Sequence, residues 1–488
     1  MYKAYVTYVT NIRPAANADR LNACEVFGNT TIIDKTITED TLVLYLPSDG
    51  QISVEFGEKN NLFRRKDDAG NNVGGFIDPV KRNITAIRLR GNRSDGLVLP
   101  ISCLNYCYAH GDASIELRAG DVIDGLVNDH EICCKYIPRS NARRGHVTEG
   151  NKTRKKRVAV APLFKEHADT EQLAYNLGVF KVGDEIEITL KMHGTSQRTG
   201  YLPVFKGYKR TFMDWLCRRQ GKPIYDWGYV SGTRRVVLEN YEGGFYGDNQ
   251  FREQHSKMFE GKLWKGETVY YEVVGFTTNG TPIMSSANNA KLQDKEFIKQ
   301  YGKETVFSYG CTPDGLDNHT LWRETYTDPY GERTFTDKKQ SDIYVYRMTM
   351  TNEDGEVVEY TPDFMRYRCE QMAVKTVPVF FKGTIPAIED SIYVDRNGND
   401  ECDEGETIYV KYTDPGEWVM KKAEEFYDGV DPIGKTHVRE GVVVRILNRP
   451  KFAAYKHKNF SFKVLEGIAK VEAEAPDMEE AQEVSDDT

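Results

Sequence analysis

No stretch of this sequence is apolar over the length needed to span a bilayer, so no transmembrane helix is expected. Met1 runs directly into a strand-like YKAYVTYVT, without the basic and apolar segments of a secretory signal, and a cytoplasmic location is expected. The nine cysteines are scattered, with Cys103/Cys107 and the adjacent Cys133/Cys134 as the only local groupings. No pair of CxxC knuckles is present, which argues against a structural zinc site and for reduced, mostly buried thiols. No repeat at solenoid periods is visible. An excess of basic charge is also missing: the net charge is −9 and the pI about 5.7. That balance does not announce a nucleic-acid binder, although local basic patches, not net charge, decide phosphate binding. Part of the acidity is concentrated between Val471 and Thr488, which hold Glu472, Glu474, Asp477, Glu479, Glu480, Glu483, Asp486 and Asp487 and no Lys or Arg. Such a stretch cannot bury enough apolar surface to offset its chain entropy, so residues 469–488 read as a disordered acidic tail.

What is present suits a soluble globular protein: 39% hydrophobic and 28% charged residues over 488 positions. That length is too great for one ordinary core, and roughly two or three domains are expected. Residues 1–137 read as short strands with turn chemistry between them, such as NTTIIDKTI, TLVLYLP, ITAIRLRG and DGLVLPIS, and suggest a small β-barrel or sandwich. A basic stretch over 138–157 follows, with Arg139, Arg143, Arg144, Lys152, Arg154, Lys155, Lys156 and Arg157; it reads as a linker, either a solvated hinge or one that also touches a phosphate backbone. From 158 to 468 the pattern is mixed. Thr170 and the following EQLAYNLG suggest a helix capped by Asp169 or Thr170. Strands are expected at DEIEITLKM, WGYVSG, ETVYYEVVGF, DIYVYRMTM, HVREGVVVRIL and FAAYKHKNFSFKVL. Polar segments near 201–225, 240–265 and 280–340 read as insertions on a β-rich core, and the fold class expected is α+β.

The chemistry centres on LKMHGTSQRTG, residues 190–200. A lysine, Lys191, ends a strand and is followed by His193, Gly194, Thr195 and Ser196; the glycine permits a tight turn and close approach of backbone to a ligand. Alone this pattern is weak, since most strand-end lysines are merely solvated. It is followed in order by GTRR (Gly232 to Arg235), YYEVVGF (Tyr270 to Phe276), DIYVYR (Asp342 to Arg347), EGVVVR (Glu440 to Arg445) and YKHKN (Tyr455 to Asn459). Glu272 sits in an otherwise apolar run, where a carboxylate needs a partner. Lys456 and Lys458 alternate on a strand and so share a face.

This ordered set resembles the signature of the covalent nucleotidyltransferases, the polynucleotide ligases and capping enzymes. More closely it resembles the RNA ligases, whose lysine motif reads K-x-H-G or K-x-D-G. AYKHKN is similar to the last motif of the nick-sealing RNA ligases of T-even phage. TAIRLRGNRSDGLVLP (85–100), preceded by NADRL (17–21), resembles the N-terminal OB-like domain of the Deinococcus-type RNA ligases. The resemblance covers most of residues 1–465. It implies that Lys191 attacks the α-phosphate of ATP and carries AMP, with Lys456 and Lys458 on the α-phosphate and lowering the pKa of the nucleophile. It implies Glu440 as holder of Mg²⁺ (or Mn²⁺), directly or through water, Glu272 on the ribose and an aromatic on adenine. Tyr346 or Tyr344, two residues apart on one face, would be that aromatic. Arg234 or its neighbour Arg235 would contact the sugar and phosphate, and His193 would serve sealing. Ser196 stands where the phage-type enzymes carry asparagine on the 3′-end, and Arg347 stands where relatives carry an acid.

The resemblance further implies an RNA substrate: a nick in duplex RNA or an RNA/DNA hybrid, sealed for RNA repair by a monomer in a bacterial or phage-infected cytoplasm. Arg88, Arg90 and Arg93 in the front domain are candidate phosphate contacts, or else their segment packs the barrel and its loop against the ligase domain. Two other readings are a ligase of single-stranded RNA or tRNA ends, and a non-catalytic RNA-binding protein on a ligase scaffold.

Overall fold

The computed structural model describes residues 2–16, 18, 21–66, 72–89, 92–136, 159–168, 170–217, 221–234, 236–238, 241, 249–275, 277, 283–284, 287–288, 299, 306–307, 325–327, 333–335, 341–387, 389–393, 408–412, 414–433 and 438–464. The basic stretch at 138–157, the acidic tail, most of 280–340, and also Arg90 and Arg235, lie outside the described residues. The chain divides into two compact units, one containing residues 2–136 and 460–464, the other 159–288 and 306–459. Antiparallel sheets dominate both, with few helices. Among the described residues no helix is long and apolar enough to cross a membrane.

In the first unit the fully buried strand Val43–Leu46 is flanked by Ala4–Thr7 and Leu97–Pro100, both antiparallel to it. Its inner face joins Val6, Ile52, Phe56, Leu104 and Ile132 in one core. Phe56, wholly buried, contributes roughly 2 kcal/mol of transfer free energy. It lies on the helix Val54–Lys59, which starts where the Ser53 hydroxyl accepts the Phe56 N–H. The hairpin Ile87–Leu89 with Asn92–Ser94 places Arg88 directly opposite Arg93.

The second unit holds two larger sheets. A five-stranded sheet runs in the order Glu171–Gln172, Ala453–Lys458, Gly441–Ile446, Glu185–Leu190, Val379–Thr384. A seven-stranded sheet is built around Lys222–Gly232, Thr195–Lys209, Glu267–Gly275 and Ser341–Thr351. Residues 191–194 carry the chain from the end of Glu185–Leu190 in the first sheet to the start of Thr195–Lys209 in the second. The outer face of Gly441–Ile446 buries Val442 and Val444, and the helix Pro415–Tyr427 packs on that strand with Val419, Met420 and Ala423 buried. Proline in its first turn and Asp414, which accepts the Gly416 and Glu417 N–H groups, fix where that helix begins. Thr361 and Pro362 do the same for Pro362–Met372. That helix is fastened to the sheet by a buried two-pronged pair from Arg368 to Glu267, at 2.8 and 2.7 Å.

Three expectations change. The helix expected after Thr170 is instead a short strand, Glu171–Gln172, followed by two single turns, Leu173–Tyr175 and Leu177–Val179. Glu171 and Gln172 give their backbone to Tyr455 and Lys456, and the Asn176 amide bonds the Gln172 carbonyl, so helical hydrogen bonds are pre-empted. Most of 201–225 is not an irregular insertion but the two long arms of a sheet hairpin, and 240–265 contains the helix Gln250–Lys257. The final expected strand stops at Lys458, and 460–464 is helical.

Candidate active site

Strand alternation sorts the side chains around a cavity in the second unit. Ile186 and Ile188 point away into the core, while Glu187 and Thr189 face the cavity. The neighbouring strands contribute Val443 and Arg445, then Ala454 and Lys456, from the same face. The seven-stranded sheet contributes Ser196, Glu272 and Tyr346, and the bend after Lys222–Gly232 contributes Arg234. Lys191 and Met192 line it from the segment between the sheets.

Lys191 is held from two sides. Its backbone N–H bonds the Gly441 carbonyl at 3.0 Å, and its Nζ lies 2.6 Å from Glu440 Oε1. Lys458 Nζ approaches the same oxygen at 3.3 Å, and His193 Nδ1 lies 3.1 Å from Oε2. A carboxylate can only accept there, so Nδ1 carries the proton of that imidazole. Burial by itself would push the Glu440 carboxyl up, but Lys191, Lys458 and His193 together hold it well below the ordinary carboxylate range. Glu440 is therefore a fixed anion that positions the lysine and a poor acceptor of its proton.

Two glycines make this approach possible. A Cβ on Gly194 would fall 2.3 Å from the Val273 carbonyl oxygen, and one on Gly441 would fall 2.1 Å from that of His457, at a φ of +145°. Gly441→Ala is expected to cost about 3 kcal/mol, a drop of roughly 5–10 °C in Tm by circular dichroism. Gly178→Ala, where an added Cβ meets nothing within 4 Å, should melt like the parent; equal melting of both variants would contradict this packing.

Tyr346 lines the cavity, and its hydroxyl is 2.8 Å from Ser196 Oγ; burial, then the nearby Glu272, raises its pKa. Tyr344, on the same face, packs instead with Val274 and Val377, near Lys375. Glu272 stands opposite Ser196 in the strand register. Arg347 does not enter the cavity: its guanidinium pairs with Glu359 and lies between the Tyr270 and Phe452 rings, 4.6 Å from each. Arg88 and Arg93 belong to the other unit, where both guanidinium groups sit over the Phe460 ring, at 5.5 and 5.4 Å.

Several cavity residues escaped the sequence reading. His167 lies in a segment with no periodicity, yet its ring is 5.1 Å from that of Tyr346. Burial, then Arg347, Arg234 and Arg198, hold its pKa well below the usual value, so it is neutral. Arg347 Nη1 is 3.2 Å from Nδ1, which must accept, leaving the proton on Nε2. Glu187 and Arg445 looked like ordinary strand residues; only the alternation of their strands signals that they face inward. Arg252, buried on Gln250–Lys257, bonds Thr195 Oγ1 at 2.7 Å and the Ser196 carbonyl at 3.2 Å, and so braces the segment after Lys191. Nothing in FREQHSK marks it.

No protein-family model matches the sequence, and no curated protein matches it. Among solved structures, the chain is similar to an RNA ligase from Naegleria gruberi. The form with pyrophosphate is 15% identical with a TM-score of 0.50, and the match covers 94% of this chain and 97% of that one. A lysine-to-methionine variant with AMP and manganese, and a glutamate-to-alanine variant with ATP and manganese, each give 15% identity and a TM-score of 0.50, over 94% of this chain and 98% of theirs. At this identity the likeness is one of fold.

Proposed function

We propose that this chain is an ATP-dependent RNA ligase that carries AMP on Lys191. The observation that carries the reading is a lysine lining a cavity, clustered with Glu440, His193 and Lys458, on a fold shared with an RNA ligase. Lys191 Nζ, once deprotonated, attacks the α-phosphorus of ATP; the bond to pyrophosphate breaks and a phosphoramidate forms. A 5′-phosphate oxygen of RNA then takes AMP from the lysine. A 3′-hydroxyl attacks that activated phosphate, and AMP leaves as the new phosphodiester forms. Lys456 and Lys458 share the face on which charge builds and offset it. Arg234, Glu272 and Tyr346 all line the cavity, and in this reading Arg234 and Glu272 take the sugar and Tyr346 the adenine face. In this reading His193, fixed by Glu440, serves the sealing steps and Ser196 takes the position that meets the 3′-end.

A divalent cation fits as a companion of the nucleotide. Both Glu440 oxygens are engaged by protein donors, and among the described residues no cluster of three His, Cys, Asp or Glu could hold a metal. Magnesium usually keeps several waters and takes one or two carboxylates plus substrate phosphates, which matches Glu440 as a ligand through water. When bound, it supplies positive charge at the phosphates.

Tyr346→Ala is expected to raise the KM for ATP about tenfold, as loss of a stacking ring does, while Tyr346→Phe stays within about threefold because only the Ser196 contact goes. Equal effects of the two changes would assign Tyr346 to the hydrogen bond.

The first unit is read as an OB-like front domain, with Arg88, Arg90 and Arg93 as phosphate contacts, and the substrate as a nick with a ribonucleotide 3′-end. The resemblance of 85–100 and 17–21 to Deinococcus-type ligases supports this. The test compares a nicked RNA duplex with the same strands unsplinted: joining only when splinted supports nick sealing, equal joining supports an end-joining ligase, and no joining with either refutes the ligase.

A further inference from the structure

The hairpin formed by Thr195–Lys209 and Lys222–Gly232 begins at the candidate site and ends far from it. Its arms stay paired from Arg198 opposite Gly232 to Lys209 opposite Lys222. From Ser196, which lines the cavity, to Lys209 the strand extends up to about 40 Å, at roughly 3.3 Å per residue. Phe205, Tyr208 and Tyr225 touch edge to face and stiffen the outer part of the arms.

The tip is the helix Phe212–Leu216. Phe212 is 74% exposed, Trp215 65% and Leu216 59%. The two rings lie side by side, 5.8 Å between centroids and 32° apart in tilt. Leaving such side chains in water is unfavourable and marks an interaction surface. The charge around them names the partner. Lys206, Lys209, Arg210 and Lys222 are all exposed there. Of the facing acids, Asp214 accepts the Thr211 N–H and hydroxyl, at 3.0 and 2.7 Å, and so serves the helix start; Asp226 is the other. This basic tip stands on a chain of net charge −9.

We propose that the hairpin tip is a binding surface for single-stranded RNA, with bases on Phe212 and Trp215 and phosphates on the surrounding cations. Exposed rings beside a basic track suit unpaired bases, whose faces are free; a duplex hides those faces in its own stack. The surface would take an unpaired stretch of RNA away from the reacting ends, so it rests on the RNA-ligase reading for its purpose but not for its chemistry.

The test is fluorescence anisotropy of the full chain with a labelled oligouridylate, alongside blunt duplex RNA of equal length. Phe212→Ser with Trp215→Ser is expected to weaken oligouridylate binding about tenfold, and duplex binding much less. Lys209→Glu with Arg210→Glu, which leaves the rings in place, should flatten the dependence of log affinity on log salt by about 1.4, near 0.7 per lost phosphate contact. Covalent labelling with ATP, read in parallel, should be unchanged in both variants. Unchanged oligouridylate affinity in both variants would overturn the proposal, as would a parent that does not bind it or that uses the tip for anionic vesicles instead. A parent that binds through the tip but takes no label would support the surface and remove the ligase reading.

Discussion

Lys191→Ala is expected to eliminate covalent labelling of the protein by ATP, a loss of at least about 10⁴-fold, as removal of a catalytic nucleophile produces. The geometry makes this residue the candidate over Lys456 and Lys458. Lys191 bonds the Gly441 carbonyl through its backbone, sits where the chain passes between the two sheets, and lies 2.6 Å from a fixed carboxylate, nearer than the 3.3 Å of Lys458. Alanine also takes one cation away from Glu440, so a second variant separates chemistry from folding. Lys191→Arg keeps a positive charge beside Glu440 but offers no nucleophilic amine. It should melt near the parent temperature and still take no label. Labelling of either variant at more than a trace would place the nucleophile elsewhere.

The second large effect is at Glu440. Glu440→Gln removes the anion that Lys191, His193 and Lys458 share, leaving the Lys191 and Lys458 charges facing each other in a buried setting. Breaking such a pair by deleting one partner costs about 3 kcal/mol, and labelling should fall at least about a hundredfold because the lysine loses its fixed position. The sign of the pH effect follows from the depressed pKa of Glu440. Its stabilisation is present above the ordinary carboxyl value of 4.5 and is lost as pH falls from there toward the folded-state value. The parent should therefore lose stability faster than Glu440→Gln on acidification, and the gap between their denaturant midpoints should narrow below that pH. A gap that stays constant from neutral to acid conditions would mean that Glu440 does not act through its charge.

Much of this site was legible in the chain because its chemistry is written in strands. Alternation put Lys456 and Lys458 on one face, and LKMHG announced a lysine at a strand end next to a glycine that the Val273 carbonyl leaves no room to replace. What stayed hidden depends on tertiary partners. His167 carries no periodic signal, and its neutrality comes from burial and three arginines brought together by folding. Arg252 braces the segment after Lys191 from a helix inside what looked like an insertion. Arg347 looked like a departure in a ligand-facing motif, yet it faces Glu359 and two aromatic rings. The segment after Thr170 had helical composition, but its backbone was claimed by the strand carrying Lys456, a partner nearly three hundred residues downstream. The long hairpin was misread for a related reason: Tyr, Lys and Gly in its outer arms lack the apolar alternation of a half-buried strand because that part of the hairpin has no core to face.

The most direct measurement is to incubate the chain with a divalent cation and ATP labelled at the α- or the γ-phosphate, denature it, and map any retained label by peptide mass. Label is expected from the α-position only, on the peptide containing Lys191, with pyrophosphate released. No adduct across a range of metals and pH, label from the γ-position, or label on another residue would contradict it.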